Sequence, residues 1–179
     1  ERLITILGED DNMNLLFFSL LAHCVSYEKI GVVLDDLAFS ASECLIMGLR
    51  VGSSLTYSIE FEGGVRVRLV SLSTSSLLST PRAEELIHNS DALIIIVPSE
   101  ARNEECLNKI QALVRSFSGR IAVISQQDVN VKATGKHKIF VMDLDEMRNA
   151  YLRGDPVRAC HRVLDVLEHV AQVPLKPAR

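Results

Sequence analysis

Residues 92–97 read ALIIIV, six apolar residues without a break. A strand with one wet face alternates apolar and polar side chains, so an unbroken run requires cover on both faces, as in the interior of a parallel sheet. Parallel neighbours in turn need crossover connections, usually helices. The rest of the chain supplies that alternation. Residues 2–8, 121–125 and 139–144 read as further strands, and 12–27, 81–89, 103–117 and 155–173 as helices. The 103–117 helix places Cys106, Ile110, Leu113, Val114 and Phe117 on one side. The last helix, opened by Asp155 and Pro156 and stopped by Pro174 and Pro177, turns Val157, Cys160, Leu164, Leu167 and Ala171 inward. Residues 55–61 and 65–72 are alternating runs joined by Gly63 and Gly64, which predicts a β-hairpin. Segment 28–54 is less regular, with 30–34 fitting a short strand and 42–49 a short helix. The expectation is one α/β domain over 1–173 with a tail at 174–179. Its sheet is doubly wound and mostly parallel, with one antiparallel hairpin strand and helices on both faces.

The 179 residues are enough for one sizeable core, and 47% hydrophobic against 23% charged residues is ordinary for a globular chain. A net charge of −4 argues against general nucleic-acid binding and against electrostatic attachment to anionic membranes. No window approaches the 18 or so apolar residues of a membrane span, so no membrane insertion is expected, and no signal-peptide pattern is present. The four cysteines, Cys24, Cys44, Cys106 and Cys160, contain no CxxC pair, and three fall in apolar helical patterns. Reduced, buried thiols in a cytoplasmic protein are the expectation. The chain opens on Glu1 rather than methionine, which fits a domain excised from a longer protein.

The first strand runs into Gly8, and an apolar helical pattern starts by Leu15. Strand, glycine and helix in that order form the layout that holds phosphates at a helix N-terminus. Against the phosphate-loop pattern G-x-x-x-x-G-K-[ST], Gly8 keeps the first glycine. Met13 replaces the second, Asn14 the lysine and Leu15 the magnesium-binding hydroxyl. Glu9, Asp10 and Asp11 stand where phosphate oxygens would lie. At about 4 Å and an effective dielectric near 20, each such contact is repulsive by roughly 4 kcal/mol. The acidic triplet suits N-capping of the helix, with a metal site or a patch for a basic partner as the other readings.

In order and spacing, residues 2–173 resemble the Ras-like small GTPases, which carry a hairpin between their first and second helices. Segment 28–54 is longer than that family's first switch region, and the helix before the last strand is reduced to 129–138. Thr56 is a loose match to the switch threonine that holds magnesium. The D-x-x-G motif is replaced by the serine-rich run that starts at Ser71. In place of N-K-x-D stand Ser125, Gln126, Gln127 and Asp128, of which only Asp128 matches, and Asp143, Leu144 and Asp145 replace S-A-K. The resemblance therefore implies a pseudoGTPase: a GTPase-like domain with no catalytic residues, no nucleotide cofactor and no metal. Its emptied pocket is marked by Gly8, Met13, Asn14, Leu15, Ser71, Ser125 and Asp128. Without the lysine and the magnesium ligands, nothing stabilises the charge of phosphoryl transfer.

The acidic corner after the first strand also resembles receiver domains of bacterial response regulators, with Ser125 as the hydroxyl residue. The run at 92–97 ends in Val97 and Pro98, however, without the phospho-acceptor aspartate. The five histidines (His23, His88, His137, His161 and His169) show no ligand spacing and read as solvated. The serines and threonines of 71–80 read as a loop, with phosphorylation control as the alternative. The first helix points to interaction, because Phe17 and Phe18 diverge by about 100° and leave almost no polar face. Phe17, Phe18 and Leu21 are therefore the candidate surface for a protein partner or a homodimer, unless segment 28–54 covers them. The functional expectation is a protein-interaction or scaffold module in a larger complex. The competing one is a small α/β domain that binds a ligand or metal at the strand ends near Gly8, Ser71, Pro98 and Ser125.

Overall fold

The apolar run becomes strand β5, Ala92–Ile96, buried along its whole length. It is flanked in parallel by β1 (Arg2–Gly8) and β6 (Arg120–Ser125), and both of these are buried over their last five residues. The computed structural model describes residues 2–8, 11–35, 54–61, 64–73, 81–97, 104–129, 131–133 and 135–172. Four more strands complete the sheet: β2 (Gly31–Asp35), β3 (Ser54–Phe61), β4 (Arg66–Ser73) and β7 (His137–Val141). The order is β2-β3-β4-β1-β5-β6-β7. The β1, β4, β5, β6 and β7 strands run parallel, β3 pairs antiparallel with β4, and β2 pairs antiparallel with β3 at the edge. The hairpin expectation thus holds, and the short strand expected at 30–34 is β2. At the hairpin turn Gly64 adopts φ +85°, open to glycine at no steric cost.

Alternation along each strand sorts the core into two layers. Ile4, Ile6, Leu69, Ile94 and Ile124 face helices α1 (Asp11–Tyr27), α4 (Leu144–Leu152) and α5 (Pro156–Ala171). Leu7, Leu93, Ile95, Ile121 and Val123 face helices α2 (Pro81–Asn89) and α3 (Glu104–Ser116). On α3, Ile110 and Val114 are buried while Leu113 and Phe117 pack partly buried; the side chain of Cys106 lies outside the description. The helix expected at 42–49 lies outside the described residues. Among the described residues, no helix is long and apolar enough to cross a membrane.

Three expectations need correction. Phe17, Phe18 and Leu21 are 0%, 1% and 0% exposed, so they form no surface for a partner. Helix α1 packs against β1, β2 and β4 on one side and against α4 and α5 on another, which satisfies the two diverging phenylalanines from within the chain. Val157 points outward, 56% exposed, because it sits in the first turn of α5, ahead of the stretch from Ala159 that meets the core. The strand expected at 139–144 stops at Val141, and Leu144 instead begins a helix absent from the sequence reading. The Asp143 carboxylate accepts the backbone N–H groups of Asp145 and Glu146 at 3.0 and 3.2 Å, which ends the extended chain and starts α4.

Three histidines expected in solvent, His23, His137 and His169, are also partly buried. His23 Nδ1 lies 3.0 Å from the Tyr151 hydroxyl. His169 sits edge-on to Phe140, and its Nε2–H donates to the Ile121 carbonyl at 3.3 Å. Burial, more than any nearby charge, lowers the His169 pKa from 6.5 and also lowers that of His137.

Truncating Phe17 to Ala should cost about 3–5 kcal/mol, as large apolar deletions in cores do, read as a lower urea midpoint at unchanged slope. An unchanged midpoint would mean that the side chain is not in the core. The unfolded chain takes up protons at His169 more readily than the folded one, so stability should be full above pH 6.5 and fall as pH drops through it. His169→Gln should flatten that slope in urea titrations run across this pH range.

Candidate functional site

In an open α/β sheet, ligands meet the C-terminal strand ends, where helices begin and loops gather. Register fixes the rim here. Gly8 pairs with Ser73 on one side and Ile96 on the other, and Ile96 pairs with Ile124. Ser125 lies one residue further along, opposite Val141.

The β1–α1 corner is closed by a side chain. Asn14, in the first turn of α1, is 1% exposed, and its Nδ2 donates to the Gly8 carbonyl at 3.2 Å. A Cβ on Gly8 would stand 2.1 Å from the Asn14 Oδ1. A side chain at position 8 would therefore force the Asn14 carboxamide to shift. The carboxamide thus lies against the end of β1. Met13 packs partly buried against the core rather than toward the rim. Leu15 lies within α1, but its side chain lies outside the description, as do Glu9, Asp10 and the side chain of Asp11.

The remaining predicted positions do not converge. Ser71 is a buried residue inside β4, opposite Ile6, and Ser73 is the residue that reaches the rim beside Gly8. Thr56 likewise lies within β3, opposite Val70. Ser125 ends β6, 3% exposed, and its hydroxyl donates to the Gln127 carbonyl at 2.6 Å, which turns the chain. Asp128 is exposed beyond that turn, and Pro98 lies outside the described residues. Gly8 and Asn14 are in contact, Ser125 shares their rim two strands away, and the others are separated. Among the described residues no cluster of three or more His, Cys, Asp or Glu side chains is placed to hold a metal ion.

Sequence reasoning missed a groove at the other end of the rim. It encloses about 360 Å³ between the end of β7 and the α4–α5 pair. Met142, Met147, Ala150 and Ala159 form an apolar floor, with Glu146, Arg153, Asp155 and Arg162 among the charged residues around it. Gln126 Nε2 donates to Asp143 Oδ2 at 2.9 Å, tying the β6 turn to the cap of α4. The Arg162 guanidinium donates to the Val141 carbonyl and covers the outer edge of β7 there. Such a groove can seat a small amphipathic molecule or a side chain of a partner; among its described lining residues there is no nucleophile–base pair. Its one legible signal was Asp143 followed by Glu146, the spacing of a helix N-terminus.

No protein-family model and no curated protein matches the chain.

The Gly8–Asn14 contact can be tested by a double-mutant cycle. Gly8→Ala should destabilise by about 1–3 kcal/mol through overpacking, and adding Asn14→Ala should recover part of that loss, a coupling of about 0.5–3 kcal/mol. Additive effects in denaturant unfolding would show that the two residues do not touch.

Proposed function

We propose that this chain is a GTPase-like domain without nucleotide chemistry that works as a protein-interaction module within a larger assembly. The observation that carries the reading is the Asn14 carboxamide lying against Gly8, where a phosphate-binding loop needs a lysine and an open cradle. Supporting it are the antiparallel strand β3 between α1 and α2, the mostly parallel sheet, and the absence of the lysine, magnesium ligands and base-reading motif from their positions. Against a phosphate, Asn14 offers a neutral donor in place of a cation, and Glu9, Asp10 and Asp11 bring charge of the wrong sign.

With Phe17, Phe18 and Leu21 committed to the core, the surface for a partner moves elsewhere. Leu152 and Val157, 51% and 56% exposed, flank the turn between α4 and α5, and Val141, 39% exposed, stands at the end of the edge strand. Val141 lines the groove, and truncating an apolar anchor on such an exposed surface is what weakens an interface. The competing reading, an α/β domain binding a small ligand at the strand ends, rests on the same groove.

Titration with fluorescent GTP and GDP, with and without magnesium, should give no saturable binding. Micromolar, magnesium-dependent binding would overturn the reading. A stoichiometric complex with a co-purifying protein should weaken at least tenfold on Val157→Asp, with unfolding midpoints unchanged. A complex indifferent to that change would move the surface away from the α4–α5 turn.

A further inference from the structure

The two helices beside the groove carry one short pattern twice. Along α4 and its C-terminal cap it reads Glu146, Ala150, Arg153; from the N-cap of α5 it reads Asp155, Ala159, Arg162. In each, an acid is followed by alanine four residues on and by arginine seven residues on. Helical spacing of that kind keeps the residues on one face, with about 10 Å from acid to arginine. All six residues line the groove.

The hydrogen bonds fix which charges share an end. The Arg162 guanidinium donates to the Val141 carbonyl, and Asp143, two residues along the chain from Val141, accepts the Glu146 N–H. Glu146 and Arg162 therefore stand at the β7 end. Arg153 and Asp155 stand at the other end, in the turn between the helices. Each end offers one acid and one arginine on opposite walls, and the order of signs reverses between the ends. Among the described residues no ion pair joins any of the four. The Asp143 carboxylate, by contrast, is already engaged by Gln126 and by the cap of α4. Met142, Met147 and the two alanines form the floor between the ends.

A checkered arrangement of charges is its own complement. A two-fold rotation about an axis across the helices lays α4 antiparallel on the α4 of a second copy. Glu146 then meets Arg153 of that copy and Asp155 meets its Arg162, and each contact occurs twice. The Arg153 side chain makes no hydrogen bond or ion pair among the described residues, which leaves it open to Glu146. Arg162 keeps further N–H donors beyond the one given to Val141. The alanines fall at the midpoint, where small side chains let helix axes come close, and the methionines adapt their shape around them.

We propose that two copies of this chain pair through the α4–α5 groove, held by reciprocal Glu146–Arg153 and Asp155–Arg162 contacts. Another protein would have to bring this same order of signs; the chain already carries it. The inference goes beyond the proposed function and does not rest on it, because neither a nucleotide nor the β1–α1 corner takes part.

Sedimentation equilibrium of the chain at micromolar concentrations is the test. A monomer–dimer equilibrium is expected, weakening at least tenfold as salt rises from about 50 to 500 mM and screens the exposed charges. Glu146→Arg and Arg153→Glu should each weaken the dimer at least tenfold, by setting like charges opposite one another. The two reversals combined in one chain should restore the affinity of the unsubstituted protein. Urea midpoints separate lost pairing from lost folding, and Asp155→Arg supplies the same repulsion at the second contact should a first variant fail to fold. A chain that stays monomeric to about 1 mM, whether the groove takes up another protein or a small molecule, would overturn the proposal. So would a dimer indifferent to the single reversals, or one that the combined reversal does not restore.

Discussion

The two-sided burial of β1, β5 and β6 is the constraint on which the rest of the structure depends. A backbone ladder with apolar side chains on both faces is stable only when helices exclude water from both. Each such side chain contributes about 1.5–3 kcal/mol once covered. Ile94 and Leu93 make the point: neighbours in sequence, both 0% exposed, they look into opposite core layers. The need to cover both layers dictates α1, α4 and α5 on one face and α2 and α3 on the other.

Helix α1 carries the heaviest share of that cover. Its apolar face is too wide for a sheet alone, and the surplus is absorbed by α4 and α5. An apolar surface that reads as exposed in one dimension is therefore interior in three. The same helix delivers Asn14 to Gly8 at its first turn, so the rim corner and the core share one element. Among the described residues, Tyr27, Val32, Val141, Leu152 and Val157 are the large apolar side chains left outside, and Val141 lines a groove whose charged residues carry both signs.

Much of this was legible in the residues. The run at 92–97, the Gly64 turn and Pro81 at the head of α2 are local signals whose meaning does not depend on distant partners. The candidate site was legible only in outline. Gly8 and Asn14 stood out by position, but their contact depends on a rotamer that no spacing reveals. Ser71 stays inside a strand because pairing with β1 carries β4 on to Ser73, which composition does not reveal. Helix α4 was lost because Leu144 continues an apolar run and hides the break, which only the Asp143 cap makes.

The sequence by itself determined the class of fold and the alternation of its elements. Those are properties of residue type and local period, and they hold whatever the chain packs against. Only the tertiary structure decided which apolar side chains of the described residues stay outside, and that α4 and α5 cover the second side of α1. Each of these is a relation between segments far apart in the chain. Such relations are set by the close packing of whole elements, in which one side chain's burial depends on all its neighbours.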